Sequence, residues 1–226
     1  MDAAVIAIRA QLQAVMEERD QRMQDPTLGQ RVIAVKAFQR QRFAQTYADL
    51  LQQVRYASAS VFFLDDLYGP ADTSERDRQF MRIVPAMVRL FPGDIVKTVQ
   101  SLSALHALSE RLDTAMARVL ISDEVSREIY VHAWRSTSAA DRERQIELML
   151  RVGSDLDRHT RKPLLRQSLR FMRGPAQAAG LSDLQRFLER GFDTFKNMRG
   201  AGEFLTIIGQ RERALAAALF KGEFPV

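Results

Sequence analysis

Two adjacent carboxylates stand inside one of the most apolar stretches of the chain. Residues 61–70 read VFFLDDLYGP, which surrounds Asp65 and Asp66 with aromatic and aliphatic side chains. A carboxylate pair can serve as general acid and base, or it can bind a divalent cation. An unpaired buried carboxylate is costly, so the same pair can instead fasten the fold by binding arginine side chains or backbone N–H groups.

Helical geometry favours the structural role for this pair. Adjacent side chains on a helix diverge by about 100°, so Asp65 and Asp66 cannot easily bind one ion together. Three arginines that could neutralise them follow in the next helix: Arg76, Arg78 and Arg82. We therefore expect the acids to pin the turn that follows them. The alternative is a small-ligand or catalytic pocket framed by Asp65, Asp66, Tyr68 and the nearby arginines.

A second polar group occupies one face of a helix predicted over residues 94–121. His106, Glu110 and Asp113 are spaced i, i+4, i+7, a spacing that could present an imidazole and two carboxylates to a cation. Polar residues at this spacing are common on helix surfaces. We expect a solvated or salt-bridged face here, with a cation site as the alternative, and we expect no metal or other cofactor.

The strongest charge asymmetry lies in residues 158–173, RHTRKPLLRQSLRFMR, which contain six basic residues and no acid. The side chains of Lys162, Arg166, Arg170 and Arg173 share one helix face. Such a face can rest on anionic lipid, nucleic acid or an acidic partner. Because aromatic residues are scarce beside these charges, base stacking and nucleic acid are not expected. The alternative is a solvated face that pairs with acidic helices elsewhere in the chain.

Composition excludes several chemistries and indicates a compartment. The chain has 226 residues and no cysteine, which excludes disulfides, thiolate zinc sites, iron–sulfur clusters and cysteine nucleophiles. It contains no apolar run of about 18 residues, so no membrane-spanning helix is expected. The N-terminus carries an acid at position 2 and its first Arg at position 9, the reverse of a secretory signal. We therefore expect a cytoplasmic protein.

Apolar residues recur at spacings of three and four along almost the whole chain, and no stretch alternates as a strand would. This pattern predicts an all-α, compact bundle of about eight to nine helices, with no significant β-sheet. One domain over residues 1–226 is expected, and a division near 122–137 is only weakly supported. The main predicted helices cover residues 2–24, 28–55, 94–121, 123–135, 139–158, 163–173 and 203–221, and another ends near Leu90 with Pro85 inside it.

Two blocks of sequence resemble a known family. FFLDDLYGP, followed by SERD and FMRIVPAMVRLFP, resembles uncharacterised bacterial proteins named for an FFLEELY motif, and GFDTFKNMRGAGEFLTIIGQRE looks like the C-terminal part of that family. Asp65 and Asp66 stand where the motif has two glutamates. The resemblance implies a helical bacterial protein with an acidic pair at this place, and it supplies no catalytic residues.

These observations favour a non-catalytic binding or interaction protein, a homodimer or the partner of another protein, that uses a helix face. Lys162, Arg166, Arg170 and Arg173 are its candidate patch for an anionic partner. The alternative function is a small-ligand-binding protein or an enzyme with the pocket framed by the acid pair.

Overall fold

The computed structural model describes residues 2–64 and 73–225, and every regular element in those residues is helical. The predicted all-α class is therefore confirmed for this part of the chain. The helices are α1 (Ala3–Gln24), α2 (Pro26–Thr46), α3 (Ala48–Gln52), α4 (Val54–Phe62), α5 (Ser74–Leu90), α6 (Gly93–Arg118), α7 (Arg127–Arg135), α8 (Ala139–Thr160), α9 (Pro163–Phe171), α10 (Arg173–Ala178), α11 (Ser182–Asn197) and α12 (Gly202–Lys221).

The described residues contain more helices than the predicted eight to nine, because one predicted helix is divided and one helix was not predicted. Residues 28–55 lie in α2, α3 and the start of α4, with non-helical backbone at Tyr47 (φ −116°, ψ 25°) and Gln53 (φ −82°, ψ 118°). The predicted helix over residues 163–173 corresponds to α9, which ends at Phe171, and α10 follows from Arg173 as a helix that was not predicted. The breaks at Tyr47 and Gln53 are not marked by proline or glycine, so periodicity alone predicted a continuous helix there.

The turn between α1 and α2 is encoded locally. Asp25 follows the last residue of α1, and its side chain accepts hydrogen bonds from the backbone N–H groups of Thr27 and Leu28. Pro26 occupies the first helical position of α2, where its missing donor costs nothing. α1 and α2 therefore meet at a sharp turn and pack against each other.

α6 is the central helix of the described bundle, and it packs against α1, α2 and α8. The contact between α6 and α8 joins helices on either side of residues 122–137. The single-domain organisation stays a prediction. Among the described residues, buried apolar side chains form three clusters. The first brings Phe43, Tyr47, Phe63 and Phe204 together from α2, the α2–α3 turn, the end of α4 and α12.

α8 and α12 approach closely because glycine faces leucine across their interface. A Cβ atom at Gly153 would lie only 2.5 Å from Leu205 Cδ2.

Within residues 2–64 and 73–225, each helix is too short or too polar to cross a lipid bilayer.

Candidate ligand-binding site

An apolar cavity of about 270 Å³ lies among α4, α5, α6, α8, α9 and α11. Most of its wall is aromatic or aliphatic and includes Phe62, Phe80, Val99, Leu102, Leu169 and Phe187. Packed protein interiors contain few voids larger than a water molecule. The volume is close to the lower end of the range for ligand pockets, roughly 300–1,000 Å³. The space therefore suits a small molecule better than a packing defect.

α6 forms the long wall of the cavity. Ile95, Val99, Leu102, His106 and Glu110 all line it, and their spacing of three or four residues places them on one helix face. At a rise of 1.5 Å per residue, this series extends over roughly 22 Å. The cavity wall is thus elongated, with an apolar middle and titratable side chains near its ends.

One polar end is formed by Asp77, from the first turn of α5, and His106. The imidazole Nε2–H donates to Asp77 Oδ2 at 2.8 Å, and Arg19 of α1 approaches the same oxygen at 2.8 Å. Burial raises the pKa of Asp77, but the hydrogen bond and charge of His106, with the charges of Arg76 and Arg19, outweigh burial and hold this pKa well below its usual range. An ionised carboxylate therefore orients the ring of His106 at the cavity wall.

Glu110 and Asp113 lie next to this pair and are only 5% and 6% exposed. Arg22 and Lys36 bind the two carboxylate oxygens of Glu110 at 2.5 and 2.7 Å. Burial raises the pKa of Glu110, but the charges of Lys36 and Arg22 lower it to about 2. The solvated alternative for this helix face is therefore wrong for both acids, and the salt-bridged alternative describes Glu110.

Asp113 differs from Glu110 because its nearest partner is neutral. Gln39 Nε2 donates to its Oδ1 at 3.0 Å, and Lys36 Nζ is 3.9 Å away. Burial is the largest effect and raises the pKa of Asp113. Within residues 2–64 and 73–225, no group of three His, Asp or Glu side chains is arranged to hold a metal ion.

The second polar end is formed by His159 near the end of α8 and Thr98 of α6. His159 Nε2 and Thr98 Oγ1 share a hydrogen bond at 2.9 Å, whereas the buried Nδ1 has no hydrogen-bond partner. Burial lowers the pKa of His159, against the opposing charge of Asp94. Thr98 and His106 are eight residues apart, so α6 separates the two polar ends by roughly 12 Å.

The predicted acid pair Asp65 and Asp66, together with Tyr68, lies outside the described residues. The cavity wall includes Phe63, two residues before Asp65, and Thr73, seven residues after Asp66. The proposed role of the acid pair stays a prediction.

The three nearby arginines have varied surroundings. The Arg76 guanidinium lies 4.4 Å from the ring centroid of Phe187, which also lines the cavity. Arg78 pairs with Glu75 at 2.9 Å, and Arg82 donates to a backbone carbonyl just after α10 at 2.9 Å. Of the three, only Arg76 lines the cavity.

The basic patch predicted on α9 is partly neutralised within the chain. Three of its members form ion pairs with acids of α6 and α11: Lys162 with Asp94 (2.7 Å), Arg166 with Asp193 (2.8 Å) and Arg173 with Glu189 (2.5 Å). Arg170 has no carboxylate within ion-pair distance in the described residues. Use of this patch by an anionic partner stays a prediction.

Sequence reasoning missed Asp77, the basic partners of the buried acids, and the cavity itself. One signal was available in α1, where Ile8, Leu12 and Val15 are buried at spacings of four and three. Arg19 and Arg22 continue this series with the same spacing. A cation in register with a buried stripe indicates a buried carboxylate partner, because an unpaired buried charge is costly.

Residues 18–225 match a protein family described as a domain of unknown function, DUF8198. The chain belongs to this family. No curated protein and no solved structure matches the chain. The DUF8198 match covers α5, α6, α8, α9 and α11, whereas Leu12 of α1, which also lines the cavity, precedes it. Membership agrees with the expected uncharacterised family, and both the FFLEELY motif and bacterial origin stay predictions.

Proposed function

We propose that the protein binds a small molecule with a hydrocarbon body and a polar group in the cavity beside α6. The cavity of about 270 Å³ is the observation that carries this proposal. An apolar ligand would supply van der Waals contacts to wall atoms that otherwise face open space. A ligand that binds only the folded protein also stabilises it.

The wall determines the chemical class of the ligand. Val99, Leu102 and Phe187 offer only apolar contacts, and they suit an alkyl chain or a hydrophobic ring system. Thr98 and His159 supply a hydroxyl and an imidazole near one end of the cavity. An elongated molecule with a hydroxyl or carboxyl end group matches this arrangement better than a compact polar metabolite.

Filling the cavity is expected to abolish ligand binding. Leu102→Trp places a larger side chain on the cavity wall, whereas Leu90→Trp makes the same change at a side chain that is 71% exposed. Hexadecanoate and hexadecanol are suitable probes, measured by isothermal titration calorimetry and by the shift in unfolding temperature. We expect Leu102→Trp to weaken probe binding at least tenfold and Leu90→Trp to leave it unchanged.

Two results would count against a hydrocarbon site: no binding of either probe to the wild-type protein, or equal binding by Leu102→Trp. A preference for hexadecanoate over hexadecanol would indicate that the end group is bound as an anion. Equal binding of both probes would assign the affinity to the apolar wall.

A catalytic role is not proposed. Asp77 orients His106, but no serine or threonine hydroxyl of the described residues shares a hydrogen bond with that imidazole. The helix-face interaction expected from the sequence is retained for α9, because the cavity does not account for the apolar side chains on its outer face.

A further inference from the structure

α9 is apolar on two different faces. Leu165 and Leu169 line the cavity from its inner face. On its outer face Leu164 is 74% exposed and Phe171 is 81% exposed. Removing such side chains from water is favourable in proportion to the apolar area that is buried. The outer face of α9 therefore has the composition of a contact surface.

Packing holds α9 only loosely. None of its described side chains is fully buried, and Leu165 and Leu169 are both only half-buried. The helix contacts α8, α10 and α11 while covering part of the cavity. Few buried contacts make such a helix free to tilt or shift at low energetic cost.

The segment of sequence that contains α9 has basic residues and no acidic ones. Residues 158–182 contain six Lys or Arg and no Asp or Glu. Arg161 pairs with Asp157, four residues earlier, and Arg173 pairs with Glu189 of α11, yet the two arginine side chains are 69% and 61% exposed. A guanidinium has five N–H donors, so each arginine keeps donors for a phosphate without breaking its ion pair.

Arg161, Arg170 and Arg173 lie at different positions relative to the exposed side chains of Leu164 and Phe171. On a helical wheel Leu164 and Phe171 nearly coincide, and Arg170 lies about 120° from Leu164. Arg170 forms no ion pair with the described acids. Arg161 and Arg173 lie just beyond the two ends of α9. Long basic side chains can extend their charged ends to the polar headgroup region while their helix lies against the acyl chains.

We propose that α9 docks on a membrane surface rich in anionic phospholipid. Leu164 and Phe171 insert among the acyl chains, and Arg161, Arg170 and Arg173 contact lipid phosphates. Amphipathic helices that lie in a membrane interface combine these two features, and nearby cations strengthen their attraction to anionic lipid. Nucleic acid would satisfy the arginines but leave Leu164 exposed, so lipid accounts for both features. This docking goes beyond ligand binding in the cavity and does not require it.

Vesicle sedimentation tests the proposal with the full chain. The probes are vesicles of phosphatidylcholine alone and vesicles of phosphatidylcholine mixed with phosphatidylglycerol. The test variant is Leu164→Ser with Phe171→Ser, and the control is Val54→Ser with Ile121→Ser, two side chains that are 97% and 91% exposed elsewhere. We expect the wild type and the control to bind anionic vesicles at least tenfold more tightly than neutral ones.

The α9 double variant is expected to lose at least tenfold in affinity for anionic vesicles, and Arg170→Glu severalfold. Leu102→Trp is expected to bind vesicles like the wild type, which separates docking from ligand binding in the cavity. Equal vesicle binding by the α9 double variant would overturn the proposal, as would the absence of vesicle binding by the wild type. A wild-type dimer in sedimentation velocity that the α9 variant dissociates, without vesicle binding, would assign the face to a second copy instead.

Discussion

Replacing Glu110 with glutamine is expected to lower the free energy of unfolding by about 3–5 kcal/mol, because two buried cations lose their carboxylate. Glu110 is 5% exposed and binds Arg22 and Lys36 at 2.5 and 2.7 Å. Equilibrium unfolding in urea measures the change. Glu143→Gln is the matched control, since the Glu143 side chain is 45% exposed and pairs with Arg213 at the surface. We expect the control to cost at most about 1 kcal/mol.

The same variant should change how stability depends on pH. The pKa of Glu110 lies at about 2 in the folded protein against an ordinary value of 4.5. A lowered folded-state pKa stabilises the protein above the unfolded pKa, and this stabilisation disappears as the pH falls through the folded pKa. The free energy of unfolding should therefore fall less steeply between pH 4.5 and pH 2 in Glu110→Gln than in the wild type. Parallel pH curves for the two proteins would show that Glu110 is not held by its cations.

The second large effect is expected at the buried pair between α2 and α12. Arg42 NH1 and the Tyr47 hydroxyl donate to the same oxygen of Glu212, at 2.5 and 2.7 Å. Arg42 and Glu212 are 6% and 8% exposed. Arg42→Met is therefore expected to lower the free energy of unfolding by about 3–5 kcal/mol, since it leaves a buried carboxylate without its cation.

A double-mutant cycle provides the decisive measurement for this pair. In a Tyr47→Phe background, which removes the second donor to Glu212, combining Arg42→Met with Glu212→Leu should recover most of the loss, because apolar residues can replace a buried ion pair at little cost. The exposed pair of Arg213 and Glu143 is the control, with an expected coupling of about 0–1 kcal/mol. Additive losses at Arg42 and Glu212 would contradict a direct interaction between them.

Local periodicity predicted the helices that are long, regular and bounded by clear signals. The predicted helix over 94–121 is α6, Gly93–Arg118, and the predicted helix over 203–221 is α12, Gly202–Lys221. The breaks at Tyr47 and Gln53 were missed because tertiary packing, which a single sequence does not display, overrides a continuous helical pattern there.

The sequence indicates that Arg42 is buried, but it does not indicate which residue pairs with it. Leu28, Val32 and Val35 form a buried series in α2, and Gln39 and Arg42 continue it at the same spacing. The spacing places Arg42 inside, but its partner Glu212 lies 170 positions away in the chain. No local pattern connects residues that far apart, so the pairing could not be predicted.

The cavity could not be predicted for the same reason. Its wall combines α6 with α4, α5, α8, α9 and α11, and the periodic pattern of a sequence does not predict the distances between those helices. Phe62 and Phe63, the first two residues of the FFLDDLY segment, line the cavity. The structural role of Asp65 and Asp66 stays a prediction outside the described residues.

The most direct test of an apolar ligand site is xenon binding, because xenon occupies apolar cavities whatever their natural ligand. A crystal of the wild-type protein under xenon pressure should show xenon beside Val99 and Leu102, and a crystal of Leu102→Trp should show none there. Side chains packed against Val99 and Leu102 in the wild-type crystal, with no xenon between them, would contradict the proposed cavity and the ligand site with it.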